Sequence, residues 1–183
     1  MLWPFNRFRK TRAAPPGTIE IIYGMIVTQA REPLFYRDLG VPDTVSGRFD
    51  LLLMHLWLVL QRLKSAEAGS DLSQALFDRF CADMDDNLRE MGVGDLAVPK
   101  RMQAFGEAFY GRTAAYDLAL TDSHEALAHA FCRNILNGES IDKARELATY
   151  ARRAITELAR IDTAVLRGGA WRFPIPLTAD PTA

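Results

Sequence analysis

The sequence lacks the features of a disulfide-stapled, membrane-spanning or strongly charged protein. Only Cys81 and Cys132 occur among 183 residues, far apart and among apolar neighbours, so we expect two buried thiols, with a redox role as the alternative. The longest apolar run, 51–60, has ten residues, whereas a bilayer span needs roughly 20. A formal net charge of −1 provides no general attraction to DNA or other polyanions.

Strand-like alternation and fixed-period repeats are also missing, whereas helical periodicity runs through the chain. Apolar residues at 19, 22, 23 and 26 predict a helix over 18–30. After a short piece at 33–40, a helix capped by Asp43 or Thr44 should extend to about residue 64. This helix is apolar on nearly all sides in its middle, so we expect it to be central.

Two further helices are predicted to form a hairpin. The first begins at Ser70 or Asp71, and the second has Pro99 in its first turn. The apolar face of the first comprises Leu76, Phe77, Phe80, Met84, Leu88 and Met91. That of the second comprises Met102, Phe105, Phe109, Thr113, Tyr116 and Leu120.

Helices at 123–137 and 140–166 complete an all-α, single-domain bundle of about six helices. Asn137-Gly138 and Gly168-Gly169 are expected to end them. The chain then divides into an N-terminal arm at 1–16, a helical domain at 17–168 and a proline-rich, irregular C-terminal tail at 169–183.

The N-terminal arm combines cations and aromatic rings without any acidic residue. Its members are Trp3, Phe5, Arg7, Phe8, Arg9, Lys10 and Arg12. It has no apolar central region or cleavage site of a secretory signal, which favours a cytoplasmic location. Either the arm is a solvated tail, or it contacts an anionic surface such as phospholipid head groups or ribosomal RNA.

The stretch 83–100 places acidic residues where the macrodipole of a helix disfavours them, at a C-terminus. Helical geometry puts Asp83, Asp86 and Glu90 on one flank, and Asp85 and Arg89 on the other. Gly92 is expected to adopt the left-handed conformation that follows a helix. Asp95 lies in the turn, and Lys100 and Arg101 stand at a helix N-terminus, which is again the disfavoured end.

Two explanations of this acidic stretch are open. Asp86 or Glu90 could pair with Lys100 or Arg101 across the hairpin, which would remove both electrostatic conflicts. Alternatively, part of the acidic flank stays exposed for a partner, because local rules are most often broken at functional sites.

Catalytic and metal-binding patterns are weak, so we expect no enzyme and no cofactor. Asp83, Asp85 and Asn87 imitate an EF-hand start, but Leu88 and Gly94 occupy the positions of its glycine and glutamate. No second acidic cluster supports a magnesium–diphosphate site. His55 lies within the apolar helix, where a hydrogen-bonded core histidine is favoured over a catalytic base.

Residues suited to protein binding remain on the Pro99 helix. Gly106 and Gly111 lie in its interior, where each costs about 1 kcal/mol relative to alanine. Either they allow a partner to approach closely, or they admit a neighbouring helix of the same bundle. Tyr110, Arg112 and Tyr116 are residue types that dominate interfaces.

Three segments resemble the ubiquinol–cytochrome c chaperone family: residues 40–63, GVPDTVSGRFDLLLMHLWLVLQRL; 83–102, DMDDNLREMGVGDLAVPKRM; and 109–120, FYGRTAAYDLAL. The resemblance extends from about 17 to 165 and is closest to the bacterial branch. It implies an all-helical, non-catalytic assembly factor that holds newly made cytochrome b during biogenesis of respiratory complex III.

The resemblance also implies partners and a location. The partners it implies are cytochrome b as client, the ribosome exit region and a small partner subunit, and the basic aromatic arm adds the anionic membrane surface. The expected location is the cytoplasm, peripheral to the inner membrane. The candidate partner-binding residues are Arg48, Asp83, Asp85, Asp86, Arg89, Glu90, Asp95, Lys100, Tyr110, Arg112 and Tyr116. The alternatives are a generic helical adaptor or homodimer, and a magnesium-dependent helical prenyl-diphosphate enzyme.

Overall fold

The computed structural model describes residues 17–64 and 69–176, and all regular structure in these ranges is helical. The first four helices are α1 (Thr18–Ala30), α2 (Pro33–Arg37), α3 (Val45–Lys64) and α4 (Gly69–Glu90). The remaining four are α5 (Val98–Asp122), α6 (His124–Asn134), α7 (Ile141–Ala159) and α8 (Thr163–Gly168). The predicted all-α fold is confirmed. The seven residues of the N-terminal arm named above lie outside the described ranges.

The apolar helix α3 forms the centre of the bundle, as predicted. Every residue from Leu51 to Val59 is buried, and α1, α4, α5 and α7 pack around it. Its N-terminus is capped by Thr44, whose Oγ1 accepts a hydrogen bond from the Gly47 N–H at 3.1 Å. Asp43, the other candidate cap, instead accepts a hydrogen bond from Arg48 Nε at 2.7 Å.

His55 is a core residue in the middle of α3. It has no exposed surface, and its Nδ1 lies 2.8 Å from the Leu51 carbonyl oxygen. Its Nε2 lies 2.9 Å from the Tyr150 hydroxyl on α7. Both ring nitrogens therefore have partners, and burial lowers the pKa of His55 to about 4. These contacts favour the structural explanation over a catalytic base.

The single helix predicted over 140–166 is wrong, because the chain breaks between α7 and α8. Asp162 has the extended backbone of an N-cap, with φ −60° and ψ 146°. Its side chain accepts a hydrogen bond from the Ala164 N–H at 2.7 Å, which starts a new helix. Gly169, at φ 70°, ends α8 as expected.

Part of the proline-rich C-terminal segment packs into the core. It has no regular structure over 170–176, but Trp171 and Phe173 are 5% and 7% exposed. Trp171 Nε1 donates to the Leu166 carbonyl at 3.0 Å, and the Phe173 ring lies 5.1 Å from that of Trp171. Phe173 also contacts His55 edge-on at 5.2 Å, so this segment reaches the centre of the bundle.

Candidate functional site

The end of α4, the turn after it and the start of α5 form one continuous feature, residues 83–101, which we call the α4–α5 tip. Gly92, at φ 80°, ends α4 in the left-handed conformation predicted for it. The Gly92 N–H bonds the Arg89 carbonyl at 2.9 Å, and the Val93 N–H bonds that of Leu88 at 3.0 Å. This pair of bonds is the Schellman motif, which fixes the direction in which the chain leaves the helix.

The Asp83 side chain binds residues of the bundle and is only partly exposed at the tip. Its Oδ2 accepts a hydrogen bond from the Tyr23 hydroxyl of α1 at 2.8 Å, and its Oδ1 lies 3.7 Å from Arg79. Burial, followed by the hydrogen bond to Asp83, raises the pKa of Tyr23. The phenol therefore stays protonated and ties α1 to α4.

Asp85 and Asp95 are held by one arginine. Arg89 lies 2.6 Å from Asp85 and 2.5 Å from Asp95, joining the last turn of α4 to the loop. All three side chains are exposed by a third or more, and pairs of this kind contribute at most about 1 kcal/mol each. Their main effect is to orient the turn.

Asp86 and Glu90 are the accessible carboxylates of the tip. Both are exposed, and within residues 17–64 and 69–176 neither forms an ion pair with Lys100 or Arg101. The pairing across the hairpin is therefore not seen. Carboxylates outnumber cations by five to three over 83–101, so the tip presents a negative surface.

The same tip exposes large apolar side chains. Leu96 is 100% exposed and Met91 is 65% exposed. The prediction that Met91 lies on the apolar face of α4 is wrong. The helix ends at Glu90, and Met91 belongs to the turn. The α4–α5 tip thus exposes both apolar and acidic side chains to solvent.

Tyr116 belongs to the core and not to a binding surface. The position of Tyr116 on the apolar face of α5 predicted this burial. The burial disagrees with the selection of Tyr116 as a partner-binding residue. The side chain has no exposed surface, and its ring packs edge-on against Trp57 at 5.3 Å and Phe131 at 4.9 Å. In this conformation Tyr116 cannot touch a partner.

Arg112 and Tyr110 occupy intermediate positions on α5. Arg112 reaches inward, with its NH2 2.9 Å from Asp50 Oδ1 on α3, although the two atoms are not aligned as a hydrogen bond. Burial raises the pKa of Asp50 to about 6, and Arg112 acts in the opposite direction. Tyr110 is 44% exposed and packs over the Phe77 ring at 5.9 Å.

The two interior glycines of α5 do not admit a neighbouring helix. A Cβ placed on Gly106 or Gly111 would meet no atom of another described element within 4 Å. The within-bundle explanation therefore fails, and the backbone of α5 remains open to approach from outside.

Arg48, in the first turn of α3, lines a surface groove. This groove, which we call the arginine groove, has a volume of about 500 Å³. Its walls are Arg31, Pro33, Tyr36, Arg37, Asp43 and Arg48. Arg31, Tyr36 and Arg37 were not predicted as site residues, although the two arginines that flank the PLFY segment were a visible signal.

Within residues 17–64 and 69–176, the structure contains neither a membrane-spanning helix nor a metal-binding cluster. None of the described helices is long and apolar enough to cross a membrane. No group of three or more histidine, cysteine, aspartate or glutamate side chains among the described residues is placed to hold a metal ion.

Comparison with known proteins assigns the chain to a family. The sequence profile described as Ubiquinol-cytochrome C chaperone matches residues 37–173, which include α3 to α7 and the α4–α5 tip. The chain belongs to the ubiquinol-cytochrome C chaperone family. The resemblance expected from the three sequence segments is thereby confirmed.

A crystal structure and several curated proteins show the same relationship. The Cbp3 homolog from Brucella abortus, a bacterial protein, is 37% identical, with a TM-score of 0.79 over 88% of this chain and 91% of that one. Ubiquinol-cytochrome-c reductase complex assembly factor 1 of Xenopus laevis is 27% identical over 70% of this chain. Protein CBP3, mitochondrial, of Saccharomyces cerevisiae is 27% identical over 78% of this chain.

The match covers only part of the curated relatives: 66% of the Xenopus protein and 44% of the yeast protein. Members of the ubiquinol-cytochrome C chaperone family are described as chaperones and assembly factors rather than as enzymes. This description agrees with the non-catalytic role expected from the sequence.

Proposed function

We propose that this member of the family is an assembly chaperone of ubiquinol–cytochrome c reductase, which holds newly made cytochrome b through the α4–α5 tip. The family description and the names of the curated relatives support assembly of this complex as the task. The choice of cytochrome b as client and of the tip as the binding surface is our own inference.

The observation that carries the choice of surface is the composition of the tip. Asp86 and Glu90 are exposed and without an ion pair within the described ranges, and Leu96 beside them is fully exposed. A half-assembled membrane protein exposes apolar helices flanked by basic cytoplasmic loops, because lysine and arginine are biased to that side. An acidic surface with apolar side chains complements such a segment in both charge and polarity.

Charge reversal at the tip tests this assignment. Asp86→Lys with Glu90→Lys should lower the amount of cytochrome b that co-purifies with the protein several-fold, because attraction to basic loops becomes repulsion. The melting temperature should stay close to that of the wild type, since neither side chain makes a contact that the fold needs. Leu96→Ser in the same assay should also reduce capture.

A matched control reverses charge elsewhere. Asp122→Lys with Glu139→Lys changes two exposed carboxylates by the same amount, and Asp122 lies at the opposite end of α5, roughly 37 Å from the tip along the helix. This control should capture cytochrome b normally. Equal capture by both double variants would remove the tip from the proposal, and loss of capture in both would reduce it to an effect of net charge.

We further propose that the N-terminal arm keeps the chaperone at the inner membrane or near the ribosome exit. Its four cations and three aromatic rings are suited to an anionic surface. Deletion of residues 1–14 should leave the protein in the supernatant when anionic liposomes or ribosomes are sedimented. Equal pelleting of the deleted and full-length chains would show that the arm is a solvated tail.

The exposed face of α5 is the place we assign to a small partner subunit. Gly106 and Gly111 leave the helix backbone uncovered within the described structure, and Tyr110 next to them is 44% exposed. A second helix could therefore approach α5 closely. Gly111→Ala places a methyl group where that helix would lie, and co-purification of the subunit measures whether the methyl group blocks its approach.

A further inference from the structure

The arginine groove differs in chemistry from the acidic α4–α5 tip, because three of its four charged lining residues are arginines. It is built from the residue that caps α1, from α2 and from the segment that leads into α3. The arm joins α1 at Gly17, whereas Arg31 lies beyond the other end of this helix of 13 residues, roughly 20 Å away.

The three guanidinium groups of the groove retain hydrogen-bond donors. Arg48 uses its Nε on Asp43 at 2.7 Å, and Arg37 uses Nε and NH2 on Asp38 at 2.8 and 2.9 Å. Arg31 makes no side-chain hydrogen bond or ion pair within the described structure. Each guanidinium carries five N–H donors, so several remain for a ligand.

The existing ion pairs do not close the groove. The side chains of Arg48 and Asp43 are 60% and 58% exposed, and those of Arg37 and Asp38 are 70% and 27% exposed. Ion pairs at such exposure contribute at most about 1 kcal/mol. A ligand carboxylate could therefore share or replace either acid at small cost.

The remaining walls are apolar and rigid. The Tyr36 hydroxyl donates to the Ala30 carbonyl at 2.6 Å, which holds the ring in place. Pro33 starts α2 beside it. These two residues offer a fixed surface for an apolar side chain next to the arginines.

We propose that the arginine groove binds an acidic peptide segment of a partner protein, in which a carboxylate is flanked by an apolar residue. Arg31, Arg48 and the free edge of Arg37 take the carboxylate, and Tyr36 and Pro33 take the apolar side chain. Asp43 accepts a backbone N–H of the peptide. A peptide supplies all three groups, whereas a phosphate group supplies acceptors only and has neither a backbone N–H for Asp43 nor an apolar side chain for Tyr36 and Pro33.

The test uses fluorescence anisotropy with labelled short peptides on the full chain. A peptide that alternates glutamate and leucine should bind, and its glutamine and lysine counterparts should bind at least about tenfold more weakly, as expected on loss of one charge-assisted contact. Arg31→Ala with Arg48→Ala should weaken the glutamate peptide by at least about tenfold. Arg48→Lys keeps the charge but loses the planar fork, so it should weaken binding partially.

Arg133→Ala is the matched control, because it removes an exposed arginine from α6 and should leave peptide binding unchanged. Arg31→Ala alone provides the test if the double variant unfolds, since the Arg31 side chain makes no hydrogen bond or ion pair with the described residues. Equal binding of the glutamate and glutamine peptides would overturn the proposal. Equal affinities of the Arg31→Ala and Arg133→Ala variants would do so as well.

Vesicles of phosphatidylglycerol and inorganic phosphate form the second arm of the experiment. If the arginine variants lose binding to vesicles or phosphate while no peptide binds, the groove is a phosphate site and the peptide proposal is wrong. Capture of cytochrome b by the Arg31→Ala variant should remain normal. Failure of the groove is thus distinguishable from failure of the proposed function at the tip.

Discussion

At the scale of residues, two buried ionisable groups on α3 act on stability in opposite directions. Burial raises the pKa of Asp50 from 3.8 to about 6 and lowers the pKa of His55 from 6.5 to about 4. As pH falls from about 6.5 to 4, the unfolded chain binds a proton at His55 that the folded protein does not, so stability is lost. Between about 6 and 3.8 the folded protein alone binds a proton at Asp50, so stability is gained.

The two contributions should offset each other between about pH 4 and 6, and single variants should separate them. Asp50→Asn should make the free energy of unfolding fall more steeply with decreasing pH than in the wild type, by up to about 1.4 kcal/mol per pH unit. His55→Gln should make it fall less steeply or rise. Urea denaturation at a series of pH values measures both slopes.

The surface variant His124→Gln serves as the control for removing a histidine. What matters is the change of slope with pH, because each substitution also shifts the stability at every pH. Parallel curves for Asp50→Asn, His55→Gln and the wild type would contradict the opposing titrations.

At the scale of elements, glycines on α3 and α5 have opposite surroundings. A Cβ on Gly47 would collide with the carbonyl oxygen of Pro42, and that oxygen is already held by the Thr44 N–H at 2.8 Å. A Cβ on Gly111 would meet no atom of another helix within 4 Å in the part of the chain that the structure describes. The first glycine is required by the fold, whereas the second is not.

Alanine substitutions should therefore change stability in opposite directions. Gly47→Ala should lower the free energy of unfolding by about 2 kcal/mol or more, because the backbone around Pro42 must move. Gly111→Ala should raise it by about 0.5–1 kcal/mol, as expected for an unobstructed helix interior. Urea denaturation of both variants measures the difference.

The Gly111 variant also tests the surface assigned to the small partner subunit. If a helix of this subunit approaches α5 closely, Gly111→Ala should reduce co-purification of the subunit even though the chaperone itself is more stable. Unchanged co-purification together with increased stability would leave this glycine without a role in binding.

The helices could be predicted from the sequence where a local signal sets them. The period of Ile19, Ile22 and Ile26 fixed α1, and Gly92 fixed the end of α4. The break between α7 and α8 was missed because the apolar period continues across it, and Asp162 was not recognised as a cap.

Tertiary contacts explain the errors at the candidate site. Helical geometry placed Asp83 with Asp86 and Glu90, but it could not show that Tyr23 of α1 would bind Asp83 alone. The arginine groove brings residues of α1, α2 and α3 together, so no single helix pattern could indicate it.

At the scale of the whole molecule, the C-terminal segment contributes to the core that the helices share. Trp171→Ala should lower the free energy of unfolding by about 3–5 kcal/mol, because a large buried ring is removed and its space is not refilled. Ile175→Ala, four residues further on and 69% exposed in the wild type, should change it by less than about 0.5 kcal/mol. Thermal unfolding compares the two variants, and equal effects would show that Trp171 is not packed as described.

The three tryptophans lie in different parts of the chain, so their fluorescence can report on each part separately. Trp57 has 1% exposure and donates its N–H to Asp117 at 2.7 Å. Trp171 packs edge-on against Phe173 in the C-terminal segment, and Trp3 belongs to the arm. Replacing two of the three tryptophans by phenylalanine would leave emission from one region at a time. Time-resolved fluorescence during the capture of a client would then follow three events separately. These are the binding of the arm to a lipid surface, the loosening of the C-terminal segment and the opening of the central helices.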